Sequence, residues 1–265
     1  MDIITYNVRT LSKSEHLSAL ENCLKKYKNY VVGISEVRRM GKNRIESKSK
    51  NSVLYYFGKT KGLYGVGFLV PKTLDNNVLD FRGYTDRVAV LKLSITDEKS
   101  LMIIQVYAPT SKHSESEVSK FYDTLTQAYE ENHSTFNIVM GDFNAKIGEN
   151  INSYSENRDV LGPYGLGERN KRGDKLIQFA NRQNLSIMNS FFYKKPQYRW
   201  TWKSNVRRYN TKNEIDYILC CNNSKHLLKK FRIITNMKFS SDHRPVHGQF
   251  SLGKIKKKNE PNFFV

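Results

Sequence analysis

The sequence predicts an α/β protein built on mixed rather than all-parallel sheets, and three stretches carry that expectation. Residues 2–8 and 31–34 read as strands on either side of a helix, a strand–helix–strand unit. Residues 53–107 then supply four strands with no helix between them, which argues for antiparallel pairing and against a simple doubly wound sheet. Residues 136–144, Phe-Asn-Ile-Val-Met-Gly-Asp-Phe-Asn, begin as a short buried strand and leave it through Gly141. Alternation puts Asp142 and Asn144 on one side and the Phe143 ring on the other. Polar groups of this kind are costly to bury unpaired, so they should face a wet cleft at the carboxyl end of the strand, where α/β proteins hold their chemistry. An Asx turn accounts for the same residues equally well from this stretch alone.

Taken in order, the first strand alternates Ile and Tyr with polar residues and is followed by Asn7 and Arg9. Ser12 with Glu15 forms a candidate capping box, after which Leu17, Leu20, Leu24 and Tyr27 recur at helical spacing. The strand over 31–34 ends in Ser-Glu-Val-Arg, which delivers Glu36 and Arg38. The charged stretch 38–51 reads as a solvated loop. Strands follow at 53–57 and 66–70 about a glycine-containing turn, and at 87–93 and 101–107 about Thr96-Asp97-Glu98-Lys99, with Pro109 closing the last. A helix over 115–131 rests on Val118, Phe121, Leu125, Ala128 and Tyr129. Residues 148–172 are the longest unpatterned stretch, and a loop of that length in a compact domain usually has a function. Leu176, Phe179 and Ala180 mark a helix to about residue 182. Strands are expected at 185–188, near 198–202, at 215–219, near 231–234 and at 246–250. The expected organisation is one domain over 1–250 and a basic tail or linker over 251–265, loosely held from Lys254.

The chain has 265 residues, enough to bury a full core as one large domain or two closely fused halves. Lys and Arg number 44 against 25 Asp and Glu, a formal +19, and an excess of that size favours a polyanionic partner, nucleic acid before membrane. Three cysteines without a CxxC pattern fit a reducing compartment, and no stretch has the length of a membrane helix or the shape of a signal peptide. The expected location is therefore nucleus or cytoplasm, intracellular and not secreted, with no membrane and no small organic cofactor.

The polar residues that end apolar strands are Asn7, Glu36, Tyr107, Asp142, Asn144, Asp216, Asp242 and His243. Singly, each has an ordinary structural explanation. As a set placed alike they do not. Oxygen donors of this kind suit a hard divalent ion, Mg²⁺ or Mn²⁺, and not zinc. Beside a basic surface, such a site suits metal-assisted hydrolysis of a phosphate ester.

Six blocks carry a resemblance: Ile-Thr-Tyr-Asn-Val-Arg at 4–9, Ser-Glu-Val-Arg at 35–38, Gln-Val-Tyr-Ala-Pro at 105–109, Gly-Asp-Phe-Asn at 141–144, Asn-Glu-Ile-Asp-Tyr at 213–217 and Ser-Asp-His-Arg-Pro at 241–245. With them the chain resembles the endonuclease/exonuclease/phosphatase superfamily, the DNase I-like fold that includes apurinic endonucleases. Within it, the stretches 165–173, 185–192 and 201–204 look most like endonuclease domains of non-LTR retrotransposons. The resemblance implies a four-layered α/β sandwich, two mixed β-sheets packed face to face with helices on both outer faces. It implies Glu36 as the main metal ligand, with Asn7 beside it and Asp242 in support. It further implies Asp142 as the group that orients or deprotonates water, and Asn144 as the holder of that water or of the phosphate. Tyr107 would touch the scissile phosphate, His243 would bind the oxygen that gains charge, and Asp216 would orient His243. The cofactor expected is Mg²⁺, with Mn²⁺ able to substitute.

The function this implies is a metal-dependent DNA endonuclease that nicks target DNA to prime reverse transcription, with a reverse transcriptase domain following in a parent polyprotein. Abasic-site repair, a phosphoinositide or other small-molecule phosphatase, and a retired nucleic-acid-binding module are the competing readings. DNA contacts are expected from Arg9, Arg38, Arg87, Arg169, Asn170, Arg172, Thr201 and Ser204, and from Arg207 and Arg208 in a hairpin over 204–213 beside Asp216.

Overall fold

The computed structural model describes residues 1–27, 29–149, 158–206 and 210–256. In chain order its elements are β1 (Asp2–Asn7), α1 (Ser14–Leu24), β2 (Tyr30–Ser35), β3 (Gly41–Glu46), β4 (Ser52–Gly58), β5 (Val66–Pro71), α2 (Lys72–Asp75), β6 (Val78–Thr85), β7 (Val88–Ser94), β8 (Ser100–Tyr107) and α3 (Glu115–Glu130). The second half continues with β9 (Phe136–Asp142), α4 (Lys171–Arg182), β10 (Leu185–Ile187), α5 (Pro196–Arg199), β11 (Trp202–Lys203), β12 (Lys212–Asn213), β13 (Asp216–Cys221), β14 (Leu228–Ile233) and β15 (Val246–Phe250).

These form two large mixed sheets, in the orders β14-β15-β1-β2-β5-β4-β3 and β10-β13-β9-β8-β7-β6, and a separate two-stranded hairpin, β11-β12. β1–β2 and β8–β9 are parallel, and the other pairs are antiparallel. Three apolar layers hold the stack. The inner faces of the sheets meet through Val31, Phe68, Ile103, Met140 and their neighbours. The outer face of the six-stranded sheet is covered by Phe121, Leu125, Leu176 and Ala180 of α3 and α4. Leu17, Leu20 and Leu24 of α1 cover the outer face of the seven-stranded sheet. The result is the expected helix–sheet–sheet–helix sandwich.

Register brings the strand ends together. Asn7 lies opposite Ser35 in the parallel β1–β2 pair. Asp142 lies opposite Tyr107 on one side and Asp216 on the other.

Several local expectations are corrected. Part of the charged stretch 38–51 is not a loop: β3 pairs along β4 as an edge strand, and its Lys42, Arg44 and Glu46 are the charges that protect such an edge. β6 escaped notice because Asp80, Arg82 and Gly83 interrupt its apolar pattern; a Cβ at Gly83 would lie 2.0 Å from the Phe57 ring. The strand expected near 198–202 is a helical turn begun by Pro196, followed by the two-residue β11. Ser12 and Glu15 form no capping box, since α1 starts at Ser14 without a side-chain cap; a capping box forms instead between Ser114 and Glu117 on α3. The tail is tied down at Lys256 rather than loose: its N–H donates to Ile95 O and its carbonyl accepts from Asn77 Nδ2, each at 2.9 Å. Residues 257–265 lie outside the described residues.

A buried charge network ties the segment before the hairpin to β13. Arg199 is 1% exposed and pairs with Glu214, itself 2% exposed, at 2.8 Å. Its remaining N–H groups donate to the carbonyls of Tyr164, Asn189 and Phe192. Asn189 in turn donates to Glu214 and to the Asp216 carbonyl at 3.0 Å each. Removing one partner leaves an uncompensated buried charge, so Arg199→Met should lower the unfolding free energy by about 3–5 kcal/mol in urea titrations. A loss below about 1 kcal/mol, the scale of an exposed pair, would show that the network does not hold this segment.

Candidate active site

Of the side chains singled out at strand ends, Glu36, Tyr107, Asp142, Asn144, Asp242 and His243 line one open cleft of about 620 Å³, while Asn7 and Asp216 are buried behind its wall. Glu36 and Asn144 are the residues that leave β2 and β9, and both have left-handed backbones, φ 59° and 47°. Non-glycine residues rarely adopt that conformation, and such strain concentrates at functional sites. Gly141 has φ 148°, and a Cβ there would lie 2.1 Å from Val106 O, so only glycine lets β9 run this close to β8 as it exits.

Asn7 sits between the two sheets. Its Nδ2 donates to Glu36 Oε1 at 3.0 Å and to Asp142 Oδ2 at 3.0 Å, and its Oδ1 accepts the Arg9 N–H. Arg38 donates through Nε and Nη2 to the other Glu36 oxygen, at 3.2 and 2.5 Å. The second Asp142 oxygen accepts the Asn144 N–H at 3.0 Å, and Asn144 Nδ2 donates to Ala108 O. His243 Nδ1 meets Asp216 Oδ2 at 2.9 Å, while its Nε2 lies 3.8 Å from Asp142 Oδ2. Ser241 locks the loop carrying His243, donating to Asn7 O at 2.7 Å and accepting the His243 N–H at 3.1 Å.

Burial raises the Asp142 carboxyl above the usual carboxylate range, and Asp216 adds to it; His243, Asn7 and the Asn144 N–H pull the other way. For His243, burial opposes the imidazolium, but Asp216, then Asp142 and Asp242, outweigh it and lift the ring to about 9. The phenol of Tyr107 is pushed upward by burial and by the Glu36 and Asp142 carboxylates, so it stays a neutral donor.

Asp142, Asp216 and His243 form a buried cluster able to coordinate a divalent cation, with one ligand atom from each lying within 4.8 Å of the others. Asp216 Oδ1 and Asp242 Oδ1 are buried and lack a hydrogen-bond partner, which is what sites completed by a cation leave behind. An oxygen-rich donor set with one imidazole fits a hard divalent ion.

The expected DNA contacts divide. Arg9, Arg38 and Asn170 line the cleft, although Arg38 is bonded to Glu36 and Asn170 caps α4 by accepting the Gly173 N–H. Arg169 donates to Ile147 O and lies near Asp174. Ser204 sits in the hairpin and accepts the Val206 N–H. Thr201 is corrected: it is fully buried, and its hydroxyl accepts the N–H groups of Ile215 and Asp216. Arg87 turns inward as well, stacking on the rings of Tyr64 and Tyr107 at 4.1 and 5.3 Å and donating to Tyr107 O. Arg172 is largely covered, donating to His113 O and pairing with Glu115. Arg207 and Arg208 lie outside the described residues; β11 and β12, which flank them, pair as a hairpin in which Trp202 also bridges to His243.

The cleft also contains residues the sequence reading passed over: Lys112, Lys146, Trp202 and Asn213. Lys112 and Lys146 follow Pro109 and Asn144 by a few positions, so extending the strand-end rule into the following loop would have found them. Trp202 Nε1 and Asn205 Nδ2 donate to Asp242 Oδ2 at 3.2 and 3.1 Å, a hold that only the fold reveals.

Comparison with known proteins places this geometry. The chain is 29% identical over 250 residues to craniofacial development protein 2 of Bos taurus, covering 94% of the chain and 40% of the relative, so it spans about two fifths of that protein's length. Its fold is similar to that of NExo, a 3′ phosphatase from Neisseria bound to a product DNA hairpin (TM-score 0.69, 17% identity, 95% and 99% of the two chains covered). It is also similar to the endonuclease domain of TRAS1, a telomere-specific non-LTR retrotransposon (TM-score 0.65, 16% identity, 96% and 99% covered). The model of one family matches residues 4–243, the span that holds every strand-end group described above, and the chain belongs to that family, the Endonuclease/Exonuclease/phosphatase family.

Proposed function

We propose that the chain is a divalent-cation-dependent endonuclease that hydrolyses phosphodiester bonds of DNA. The observation that carries this reading is the convergence of Glu36 from one sheet with Tyr107 and Asp142 from the other, and with His243, on one open cleft, with Asn7 bonded to Asp142 and Asp216 to His243 behind its wall. The cleft carries Arg9, Arg38, Lys112 and Lys146 on its wall. With the net +19, these cations favour a polyanionic chain over a small phosphate ester.

In this reading Glu36, with Asn7 beside it and Asp242 in support, would hold Mg²⁺ or Mn²⁺. The ion would supply Lewis-acid stabilisation of the charge that develops on the phosphate. Asp142, its carboxyl raised toward neutrality, receives the proton of the attacking water, and Asn144 positions that water or the phosphate. Tyr107 donates to the scissile phosphate. His243, kept cationic by Asp216, binds the oxygen that gains charge. The finer reading is a nick in target DNA that primes reverse transcription of a non-LTR retrotransposon, with a reverse transcriptase domain following in the parent chain. The retrotransposon-like motifs and the fold shared with the TRAS1 endonuclease domain support it.

On supercoiled plasmid, nicking should require Mg²⁺ or Mn²⁺ and stop with EDTA. Glu36→Ala, Asp142→Asn and His243→Ala should each reduce the single-turnover rate by ~10²-fold or more. Undiminished nicking in EDTA, or an Asp142→Asn protein as fast as its parent, would remove the basis of this reading.

Binding to duplex DNA should weaken by about 10³-fold between 50 and 200 mM salt if some six phosphates are neutralised. Anisotropy titrations across that range provide the measurement. A nearly flat response would instead favour a small-molecule phosphatase.

A further inference from the structure

Besides the Asn7–Asp142 contact, a buried polar cluster interrupts the apolar layer between the two sheets. Gln105 of β8 is fully buried, and its Nε2 donates to Thr5 Oγ1 of β1 at 3.1 Å and to Ser35 Oγ of β2 at 2.9 Å. The Thr5 hydroxyl donates back to Gln105 Oε1 at 3.2 Å, and the Ser35 hydroxyl donates to Val106 O of β8 at 2.9 Å. Thr5 and Ser35 are also fully buried, and none of these three side chains leaves a polar atom unpartnered. The amide enters the facing sheet at Gly33, where a Cβ would lie 1.9 Å from Gln105 Oε1 and 2.5 Å from Met140 Cε. Glycine at 33 is thus a socket for the glutamine.

The position of this network relates it to the chemistry. Thr5 stands two residues before Asn7, Ser35 one before Glu36, and Gln105 two before Tyr107, while Met140, opposite Gln105 in the ladder, stands two before Asp142. Apolar contact between sheets is non-directional and tolerates sliding. Hydrogen bonds of fixed length between side chains do not, and a fully satisfied buried polar network specifies a single arrangement. Asn7 and Glu36 belong to one sheet, Tyr107, Asp142 and Asp216 to the other, so the site's geometry depends on the relative placement of the sheets.

We propose that Gln105, through Thr5 and Ser35, is a positioning residue that pins the two sheets so that the Glu36 and Asp142 halves of the site stand at their working separation. The inference rests on the hydrolase reading above but not on DNA being the substrate. Gln105 touches no substrate; it acts through the strand ends immediately above it.

The test separates position from stability. Gln105→Leu strands Thr5 and Ser35 against an apolar group, and should lower both the melting temperature and the rate. The triple variant Thr5→Val, Ser35→Ala, Gln105→Leu replaces the whole network by apolar groups of similar shape, an exchange that is often neutral for stability. Melting temperature, kcat and KM are measured for both with Mn²⁺, on plasmid DNA and on a chromogenic aryl phosphodiester. Leu125→Ala, in the layer beneath α3 and remote from the cleft, serves as a control destabilised without loss of the pin. The expected result is a triple variant whose melting temperature returns toward wild type while kcat remains at least tenfold down on both substrates, with KM for DNA within about twofold. If kcat recovers together with stability in the triple variant, or if Gln105→Leu keeps the wild-type kcat, Gln105 is a packing residue only and the proposal is overturned. Wild-type protein that cleaves the aryl diester but not plasmid would sink the DNA reading instead, while the variant-to-wild-type ratio would still decide the role of Gln105.

Discussion

The Asn7 carboxamide is the contact on which the site depends. One short side chain gives its two N–H protons to two carboxylates carried by different sheets, each at 3.0 Å. The shared donor ties the Glu36 and Asp142 side chains of the two sheets to one point of the cleft. Asn7 can do this only because its own position is fixed three ways. The parallel β1–β2 ladder sets its height, the Arg9 N–H holds its oxygen, and Ser241 grips its backbone carbonyl.

The same logic runs through the second half of the cleft. Asp142 is flanked in register by Tyr107 and Asp216, so three neighbouring strands of one sheet present end residues side by side, β8 and β9 their last and the antiparallel β13 its first. Asp216 then orients His243, and the strand behind it is fixed by Asn189, Glu214 and Arg199. A buried ion pair is a costly device for stability alone. Its location directly beneath a carboxylate that must keep its aim gives the pair a reason to exist. Strain is concentrated in the same place: Arg9, Glu36, Arg38 and Asn144 all have positive φ at the exits of β1, β2 and β9.

Much of this could be read from residues alone. The strands of both sheets that carry the site are apolar runs of ordinary length, and their polar ends pointed to Glu36, Tyr107, Asp142, Asn144, Asp242 and His243, which line the cleft. The misses have physical causes. β3 is an edge strand whose charges are its protection, and they read as a solvated loop. Thr201 looked like a surface contact because a threonine beside a tryptophan near a hairpin has no sequence mark of burial; its hydroxyl turned out to serve the backbone of Asp216. Arg87 looked like a phosphate ligand for its charge, whereas its guanidinium is stacked on Tyr64 and Tyr107. Gln105 and Gly33 were invisible as a pair, since a contact between facing sheets leaves no periodic trace in either strand.

The proposed reading puts the cation at Glu36, with Asn7 beside it and Asp242 in support, rather than in the Asp142–Asp216–His243 cluster that could also coordinate one, because there His243 Nδ1 and Asp216 Oδ2 are already bonded to each other. Anomalous diffraction from crystals soaked in Mn²⁺ tests this most directly. The account predicts an anomalous peak bonded to a Glu36 carboxylate oxygen, with Arg38 displaced from that oxygen and the Asp216–His243 hydrogen bond retained. A peak bonded to Asp142, Asp216 and His243 with no contact to Glu36 would contradict it.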